Sequence, residues 1–578
     1  MSNRLNRGHE DSIFAALIAP FRKHESIFNS PRTGSLLVLF LVLALLWCGR
    51  LLYLQVIKAP ELSEEAANSR TISYDISPRR GTIYDRNGSV LASSIDAQTI
   101  YVNPNEIEDA DGTAQKMAEI LKGEKKDYLE ICTLDTTFAY VERRVDMDVA
   151  ERLQKEDLPG VYFIDDSKRV YPNGRTAAQV VGLVDIDGKG ISGLELYYDD
   201  ILSGKPGKVT RQVGKNGIPL PGENDTNVPA VDGQDIVISI DIGMQNYVEE
   251  RLAEGVEEIG GKDGTVTLMD AVTGEIVAIA STPYFDPSNL SNVEPDATQL
   301  KSITSAYEPG SVFKAVGAMA LLEDNLITPD DVIHCPAVLK ADEYNVSDAH
   351  EREDMDMSFR TIMNESSNVG ISLAVEGRLG FDKLYENILN YGLNEPTGVD
   401  YPGEAGGYLA DQSQWSKIQS YNVSFGQGVM VTPLQMTRFY AALRNDGVAP
   451  TPHFLMAKPQ TAETVEYKSE RIIDNTGAVD TMVDMLTTVV EDGTGKYAAI
   501  DGFDVAGKTG TAEVASDEGG YKKGVYNLDF VGFIPNSTTS LVCFVGVNEV
   551  PYERQTTEVF HDIMENAIER YKVAPLEE

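Results

Sequence analysis

The most distinctive hydrophobic feature of the chain is a long apolar run near its amino end. Residues 35–47 contain no charged side chain, and the run continues to Ile57 with Arg50 and Gln55 as interruptions. Taken as Ser35–Ile57, it is long enough to cross a bilayer as a helix. A cleaved signal peptide is the rival interpretation, but its apolar core would be shorter and would end at small residues. The pattern predicts an uncleaved transmembrane signal anchor over residues 35–57.

Beyond this run, the hydrophobic pattern breaks into short stretches separated by turn residues. Within residues 80–92, two short apolar runs flank Asn87-Gly88, a dipeptide typical of a tight hairpin turn. Turn-forming residues cluster again at 216–222, where apolar periodicity is lost. The pattern predicts a domain of mixed α/β structure over residues 58–225.

A second predicted domain, residues 235–575, begins and ends with strands and carries helices in its middle. Alternating apolar positions predict strands at Asp235–Asp241, Gly264–Asp270, Gly274–Ser281, Asp529–Ile534 and Thr539–Val547. Helical periodicity predicts helices at Gln245–Val256 and Glu558–Tyr571. Terminal strands that bracket helices predict an α+β fold, in which those strands join one antiparallel sheet flanked by helices.

The charges on the two sides of the apolar run predict its orientation. Residues 1–34 contain five Lys and Arg side chains, whereas residues 58–78 contain two of them and four acidic side chains. Positively charged flanks stay in the cytoplasm, so residues 1–34 are predicted to form a cytoplasmic tail. The bulk of the chain is then predicted to lie outside the cytoplasm on a single-pass anchor.

The overall composition is strongly acidic. The chain has 578 residues, of which 90 are Asp or Glu and 49 are Lys or Arg, giving a formal net charge of −41. Such a surface repels phosphates, which disfavours nucleic acid as a partner. The hydrophobic fraction of 42% is nevertheless sufficient for large buried cores.

The cysteines and histidines were considered as a disulfide framework or a metal site. The chain has four cysteines, and Cys48 lies in the predicted anchor, which leaves three that are far apart in sequence. Zinc ligands could come from His334, Cys335, Asp348 and His350, but their spacing fits no standard structural site. A structural role for these residues is favoured, and no metal is predicted.

Three short motifs with catalytic potential follow one another in the second domain. They are Ser311-Val-Phe-Lys314, Ser366-Ser-Asn368 and Lys508-Thr-Gly-Thr511. Ser311 follows Pro and Gly at the start of an apolar helix, where free backbone N–H groups stabilise developing negative charge. Lys314 is one turn later on the same face. It could remove the serine proton if burial and nearby cations keep it partly neutral.

The second and third motifs add groups suited to a peptide substrate. Ser366 could relay a proton between Lys314 and a leaving amine, and Asn368 could both donate to and accept from a peptide bond. Lys508 offers a fixed cation, and the neighbouring Thr509 and Thr511 offer hydroxyl groups, a set that suits a substrate carboxylate.

Backbone groups complete the predicted site. Gly510 would allow another backbone to approach closely. The N–H groups of Ser311 and Thr511 would form an oxyanion hole. Each motif alone has a plain structural interpretation, namely a helix cap, a polar turn or a glycine turn.

An overlapping motif offers a different function. Residues 502–509 satisfy the phosphate-binding pattern G-x-x-x-x-G-K-[ST] and would make the chain a P-loop NTPase. That pattern requires a helix directly after the loop, so that its N-terminus faces the phosphates. Here Gly510 follows at once and Gly519-Gly520 soon after. The sequence therefore makes the NTPase a remote alternative.

Taken together, the motifs resemble those of one family. Further matching segments are Arg50–Val56, Arg80–Gly88, Tyr307–Lys314 and Ser424–Gln435. From about residue 35 to its end, the chain resembles the class B penicillin-binding proteins, the membrane-anchored peptidoglycan D,D-transpeptidases of bacteria. The compact segment Val184–Glu195 is more similar to the cell-division (septal) branch than to the elongation branch.

The resemblance implies a non-catalytic pedestal of the dimerisation type over residues 58–225 and a transpeptidase domain over 235–575. It implies that Ser311 attacks the D-Ala-D-Ala end of a stem peptide and passes the acyl group to an amine acceptor. It assigns Ser311, Lys314 and Ser366 to catalysis and Asn368 with 508–511 to substrate binding.

The resemblance also implies surroundings and partners. The protein would lie in the bacterial inner membrane, react with β-lactams, and need no cofactor. A glycosyltransferase and other division proteins would bind through the anchor and the pedestal. A D,D-carboxypeptidase, which passes the acyl group to water, or a β-lactam-sensing receptor are the alternatives. The motifs do not identify the acceptor amine.

Overall fold

The computed structural model describes residues 31–62, 71–212, 226–461, 463–516, 520–551 and 554–576. Most of the predicted cytoplasmic tail and the predicted domain boundary at 216–222 lie outside these residues. The chain divides into two compact units. One unit comprises residues up to Ile76 together with Gly207–Pro229, and the other comprises Ser77–Pro206 together with Ala230–Glu578.

The first unit contains the predicted apolar helix. An α-helix spans Pro31–Leu52 and continues as a π-helical turn at Tyr53–Ile57. Within the described residues, Gly34–Ile57 is one stretch of 24 residues with a mean hydropathy of 2.4, long and apolar enough to cross a membrane. This confirms the helix predicted over residues 35–57. The same unit holds an antiparallel sheet with the strand order Thr71–Ile76, Gly207–Gln212, Thr226–Val228.

The second unit is built around a five-stranded antiparallel sheet, here called the central sheet. Its strand order is Ile276–Ser281, Asp263–Asp270, Leu541–Val550, Tyr521–Phe533 and Ala506–Ala515. The first and last segments of the domain meet because Leu541–Val550 pairs with Asp263–Asp270. The prediction that the terminal strands join one antiparallel sheet is therefore confirmed for the strands predicted at Gly264–Asp270, Gly274–Ser281, Asp529–Ile534 and Thr539–Val547.

Helices cover both faces of the central sheet. One face packs against Ile242–Ile259 and Thr557–Tyr571, which bury residues such as Val248, Leu252, Phe560 and Ile563. The other face packs against a larger helical layer that contains Lys314–Glu323, Pro433–Arg444 and Thr476–Glu491. Apolar side chains on both faces explain the nearly continuous burial of Ile276–Ser281.

Local sequence signals fix the ends of these helices. The Asp241 side chain accepts hydrogen bonds from the N–H groups of Gly243 and Met244, which caps the helix that begins at Ile242. Helix Pro433–Arg444 begins with a capping box formed by Thr432 and Gln435, with Pro433 in its first turn.

A second sheet joins the residues of the predicted pedestal to those of the predicted catalytic domain. Its strand order is Glu463–Thr464, Leu455–Lys458, Ile236–Ile238, Ile83–Tyr84, Val90–Val102 and Ala139–Asp146, and Val161–Val170 also pairs with Val90–Val102. The predicted Asn87-Gly88 hairpin lies between Ile83–Tyr84 and Val90–Val102. The strand predicted at Asp235–Asp241 is shorter than expected and pairs in parallel with Ile83–Tyr84, so it is not part of the central sheet.

The remaining regular elements are short and surround these layers. The other α-helices are Ala110–Leu121, Lys125–Cys132, Met147–Gln154, Ala178–Val181, Gly193–Tyr197, Asp199–Leu202, Lys301–Thr304, Phe359–Asn364, Asn368–Ala374, Phe381–Asn390 and Lys417–Ser424. The other strands are Val332–Cys335, Val338–Ala341, Tyr344–Ser347, Met355–Ser358, Tyr408–Leu409, Val429–Met430, Val448–Pro450 and Ser469–Arg471.

Buried charges hold the segment around Glu195 in place. The fully buried Glu195 carboxylate lies 2.6 Å from Arg80 Nε and 2.6 Å from Arg169 Nε. Arg80 also contacts Asp199 at 2.6 Å. A bridge between Val184 and Gly190 closes the segment before helix Gly193–Tyr197, which places Glu195 in this cluster.

Candidate active site

Ser311 lies at the entrance of the helix that the sequence predicted. A 3₁₀ turn at Gly310–Phe313 carries the serine and leads directly into the α-helix Lys314–Glu323. Gly310 has φ 54°, and a Cβ atom there would lie 2.6 Å from the carbonyl oxygen of Thr511. Glycine is therefore required for the serine turn to pack against the edge strand of the central sheet.

Lys314 is buried and bonded to both predicted catalytic serines. Its Nζ lies 2.7 Å from Ser311 Oγ, 3.0 Å from Ser366 Oγ and 2.6 Å from the Ser366 carbonyl oxygen. The side chain is 0% exposed. Burial lowers the pKa of Lys314 well below its ordinary value, and the nearby positive charge of Lys508 adds to this effect. The site thus favours the neutral amine, which can accept a proton.

Ser366 reaches Lys314 through an unusual backbone conformation. It has φ 57° and lies between helix Phe359–Asn364 and helix Asn368–Ala374. A left-handed conformation costs a non-glycine residue about 1 kcal/mol or more, so surrounding contacts must hold it. Here it allows both the hydroxyl and the carbonyl oxygen of Ser366 to contact Lys314 Nζ.

Asp348 provides those contacts, and sequence reasoning did not assign it to the site. Its carboxylate accepts hydrogen bonds from the Ser367 hydroxyl at 2.8 Å and from the Val369 N–H at 3.0 Å. It also lies 2.7 Å from Arg352 Nε. Ser367 in turn caps helix Asn368–Ala374 through the N–H of Gly370. Asp348 thereby fixes the turn that carries Ser366.

Asn368 contacts the strand Tyr344–Ser347. Its Nδ2 donates to the carbonyl oxygen of Ser347 at 3.0 Å, and its side chain is partly exposed. The structure therefore brings Ser311, Lys314 and Ser366 into contact, and Asn368 lies two residues after Ser366 at the start of helix Asn368–Ala374.

Lys508 lies in the edge strand Ala506–Ala515 of the central sheet and is 0% exposed. Its Nζ donates to the Thr509 carbonyl oxygen at 3.2 Å. Burial lowers the pKa of Lys508 to about 7, and the negative charge of Asp529 opposes that shift. The hydroxyl of Thr509 lies 2.7 Å from that of Thr494, a second site residue that sequence reasoning missed.

Gly510 and Thr511 lie beside the serine turn. A Cβ atom at Gly510 would lie 1.6 Å from Asp529 Oδ1 and 3.0 Å from the Pro309 carbonyl oxygen, so only glycine fits. Thr511 is exposed, and its backbone approaches Gly310. All three sequence motifs therefore converge on Ser311.

This strand also excludes the phosphate-loop alternative. Gly507, Lys508 and Thr509 pair with Gly532, Val531 and Phe530 as consecutive strand residues. A phosphate loop requires these residues to form a turn at the start of a helix. The chain continues instead as a strand to Ala515.

The residues considered as zinc ligands do not form a cluster. His334 Nδ1 lies 2.8 Å from Asp356 on the surface, whereas Cys335 is buried and bonds to a backbone carbonyl oxygen. In the part of the chain that the structure describes, no group of three His, Cys, Asp or Glu side chains could hold a metal ion. All four cysteines are free.

Comparison with known families identifies the fold. Residues 264–565 match the transpeptidase domain of penicillin-binding proteins, and residues 75–238 match the penicillin-binding protein dimerisation domain. The chain belongs to the class B penicillin-binding proteins. It is a serine-type peptidoglycan D,D-transpeptidase, and the resemblance stated from the motifs is confirmed.

Named class B penicillin-binding proteins match nearly the whole chain. Penicillin-binding protein PbpB of Mycolicibacterium smegmatis is 31% identical over 96% of this chain and 92% of its own. Peptidoglycan D,D-transpeptidase FtsI of Escherichia coli is 30% identical over 87% of this chain and 84% of its own. A crystal structure of penicillin-binding protein 3 from Mycobacterium tuberculosis, complexed with aztreonam, has a TM-score of 0.67 and 27% identity and covers 87% of this chain and 98% of its own.

The contacts of Asp348 predict a specific kinetic effect in this penicillin-binding protein. Asp348→Asn removes the charge that favours protonated Lys314, so the acid limb of the pH profile of penicillin acylation is expected to move to lower pH. The maximal rate is expected to fall by about tenfold or more because the Ser366 turn loses an anchor. Stopped-flow acylation across pH measures both. Asp356→Asn, in the nearby strand Met355–Ser358 and exposed, is the control; equal rates in the two variants would contradict this role.

Proposed function

We propose that Ser311 is the acylated nucleophile and that Lys314 is its general base. The single observation that carries this proposal is the buried Lys314 amine 2.7 Å from Ser311 Oγ. Neutral Lys314 accepts the hydroxyl proton while Ser311 Oγ forms a bond to the carbonyl carbon of the penultimate D-Ala. Ser366, 3.0 Å from the same amine, passes a proton to the departing D-Ala amine.

We further propose that residues around the third motif bind the donor peptide. Lys508 and the hydroxyl groups of Thr509 and Thr511 bind the terminal carboxylate of D-Ala-D-Ala. Backbone N–H groups of Ser311 and Thr511 stabilise the oxyanion, and Asn368 contacts the peptide backbone of the stem. The close approach of the Thr511 backbone to Gly310 supports this arrangement.

The acyl group then passes to an amine of a second stem peptide, whose nitrogen forms the new amide bond as Ser311 Oγ takes back its proton. β-Lactams acylate Ser311 in the same way but leave no amine that departs. β-Lactam binding is supported by the crystal structure of the Mycobacterium tuberculosis relative, which is complexed with aztreonam. The long pedestal and the anchor favour a transpeptidase over a D,D-carboxypeptidase or a β-lactam-sensing receptor.

We also propose a membrane topology, a division into domains and a set of partners for this protein. Residues 1–34 are a cytoplasmic tail, residues 35–57 a single-pass anchor, residues 58–225 a non-catalytic pedestal and residues 235–575 the transpeptidase domain. The five basic side chains before the anchor support the orientation with the bulk outside the bacterial inner membrane. The protein acts in septal wall synthesis with a glycosyltransferase and other division proteins.

A labelling experiment tests the proposed nucleophile. The full chain, incubated with a fluorescent penicillin, is expected to form a stable adduct that maps to Ser311 by mass spectrometry. Ser311→Ala is expected to abolish labelling, because it removes the hydroxyl oxygen that would form the ester bond with the penicillin. Ser305→Ala, a serine six residues upstream, is the control and should label normally. Labelling that survives in Ser311→Ala would sink the assignment.

A further inference from the structure

Asp529 lies beneath the third motif in a tightly enclosed position. It is in the middle of strand Tyr521–Phe533, where it pairs with Gly510 on one neighbouring strand and with Gly546 on the other. The residue is 4% exposed. Its Oδ1 occupies the space that a side chain at position 510 would need, since a Cβ there would lie 1.6 Å away. The carboxyl group is thus packed against the backbone of the Lys508-Thr-Gly segment.

The two oxygens of the Asp529 carboxyl group have different surroundings. Oδ2 accepts a hydrogen bond of 2.6 Å from the Tyr307 hydroxyl. Oδ1 is shielded from solvent and has no hydrogen-bond partner within the described residues. A buried carboxyl oxygen without a donor is costly unless a nearby charge compensates it.

Lys508 is the nearby cation. It lies two residues from Gly510 on the same strand, so both project to the same face of the sheet as Asp529. The other titratable groups that face Asp529 are Tyr307 and Tyr440, and the hydroxyl of Tyr440 donates to the Val312 carbonyl oxygen. Neither tyrosine supplies a positive charge, which leaves Lys508 to compensate Asp529.

We propose that Asp529 is a positioning residue that keeps Lys508 positively charged, so that the site selects donors and inhibitors bearing a carboxylate. This inference rests on the carboxylate-binding role proposed above for Lys508. It assigns opposite charge states to the two buried lysines of one site. Lys314 must be neutral to act as a base, whereas Lys508 must be charged to attract an anion.

Burial disfavours the charged forms of both lysines and of Asp529, whereas Asp529 and Lys508 each favour the charged form of the other. Burial lowers the pKa of both lysines, and their mutual repulsion lowers that of Lys314 further. Burial raises the pKa of Asp529 to about 8, and the Tyr307 hydrogen bond and the charge of Lys508 oppose that rise. When Asp529 loses its charge, Lys508 loses the one acid that favours its protonated form in this part of the site. The pKa of Lys508 then falls, and the ammonium gives up its proton at lower pH.

The experiment compares two ligands that differ in one charge. Acylation rate constants of the full chain are measured with a penicillin and with its carboxyl methyl ester. The measurements run from about pH 6 to about pH 9, a range that includes the pKa values of Lys508 and Asp529. Only the free acid benefits from a charged Lys508. The acid-to-ester rate ratio therefore reports the charge of Lys508 and is insensitive to a general loss of activity.

Asp529→Asn keeps the shape of the side chain and removes its charge. Its acid-to-ester ratio at pH 7.5 is expected to fall about tenfold, and the alkaline fall of that ratio is expected to begin about one pH unit lower than in wild type. Tyr307→Phe removes the hydrogen bond that favours charged Asp529. It should lower the ratio in the same direction by a smaller factor, and it tests the inference even when Asp529→Asn fails to fold.

Two further variants separate the possible failures. Lys508→Gln is expected to abolish the acid-to-ester preference at every pH; a preference that persists would show that the proposed role of Lys508 is wrong. Asp400→Asn removes a buried carboxylate that binds backbone N–H groups of Phe454 and Leu455 and should leave the ratio unchanged. The inference about Asp529 is overturned when Lys508→Gln loses the preference but Asp529→Asn and Tyr307→Phe retain the wild-type ratio and pH profile.

Discussion

Replacing Lys314 with methionine is expected to lower the rate of penicillin acylation by about 10²–10⁴-fold. Methionine preserves much of the volume of the buried side chain but cannot accept a proton. Ser311 Oγ and Ser366 Oγ both lose the amine that lies within 3.0 Å of them. Stopped-flow measurement of acylation by a fluorescent penicillin gives the rate constant for each protein.

The pH profile of the wild type provides an independent test of the same role. Burial and Lys508 lower the pKa of Lys314, so the neutral amine is present at lower pH than for an ordinary lysine. Acylation is expected to be fully active above the lowered pKa and to fall as pH decreases through it. If Lys314 had the pKa of an exposed lysine, the acylation rate would instead fall as pH decreases through about 10.4.

A matched control distinguishes a base from a structural lysine. Lys340→Met changes an exposed lysine in the same domain and should leave the acylation rate unchanged. The thermal unfolding of Lys314→Met should resemble that of wild type, because the lower cost of burying an apolar side chain offsets the hydrogen bonds that the amine loses. A folded Lys314→Met protein that acylates at the wild-type rate would exclude Lys314 as the base.

The sequence predicted those parts of the site that depend on short-range geometry. The three-residue spacing of Ser311 and Lys314 places both on one helical face whether the first turn is 3₁₀ or α. The predicted strands at Gly264–Asp270 and Thr539–Val547 pair in the central sheet as expected, with bounds shifted by a few residues. Alternating hydrophobicity was sufficient there because both strands are buried.

Asp348, Thr494 and Asp529 could not be predicted because each reaches the site through a long-range contact. Asp529 contacts the third motif only through the register that pairs it with Gly510. Thr494 follows helix Thr476–Glu491 and is placed by a hydrogen bond from its N–H to the Asn364 carbonyl oxygen. Polar residues in loops have no periodicity that would reveal such partners.

The sheet shared by residues of the predicted pedestal and of the predicted catalytic domain could not be predicted from sequence patterns either. Alternating apolar positions predicted a strand at Asp235–Asp241 and placed it in the sheet of the catalytic domain. The strand observed there, Ile236–Ile238, pairs in parallel with Ile83–Tyr84, about 150 residues earlier, and no local sequence pattern indicates such a pairing. The family resemblance described the two domains but did not indicate that they share a sheet.

The buried charges around Glu195 predict the second large effect, which is on the free energy of unfolding. Glu195→Gln is expected to lower the free energy of unfolding by about 3–5 kcal/mol, since removing one partner leaves buried charges uncompensated. Arg80 and Arg169 both lie 2.6 Å from Glu195, and both have side chains that are at most 6% exposed. Urea denaturation followed by circular dichroism measures the change.

A surface ion pair in the same segment provides the control. Asp187 lies 2.9 Å from Arg143, with 70% of its side chain exposed. Asp187→Asn is therefore expected to change the free energy of unfolding by about 0–1 kcal/mol. Hydrogen exchange should localise the loss in Glu195→Gln to the pedestal residues that the two arginines hold, including Gly81, whose carbonyl oxygen accepts from Arg169.

Comparison of Glu195→Gln with Asp187→Asn shows whether the buried charges around Glu195 stabilise the fold. Asp199, 2.6 Å from Arg80, is expected to compensate one arginine in part in Glu195→Gln, whereas the other partners of Arg169 are neutral oxygens. Double replacement of Glu195 by Gln and Arg169 by Met should therefore recover part of the lost stability, because it removes the uncompensated charge. An equal and small effect of Glu195→Gln and Asp187→Asn would mean that the buried cluster does not stabilise the pedestal.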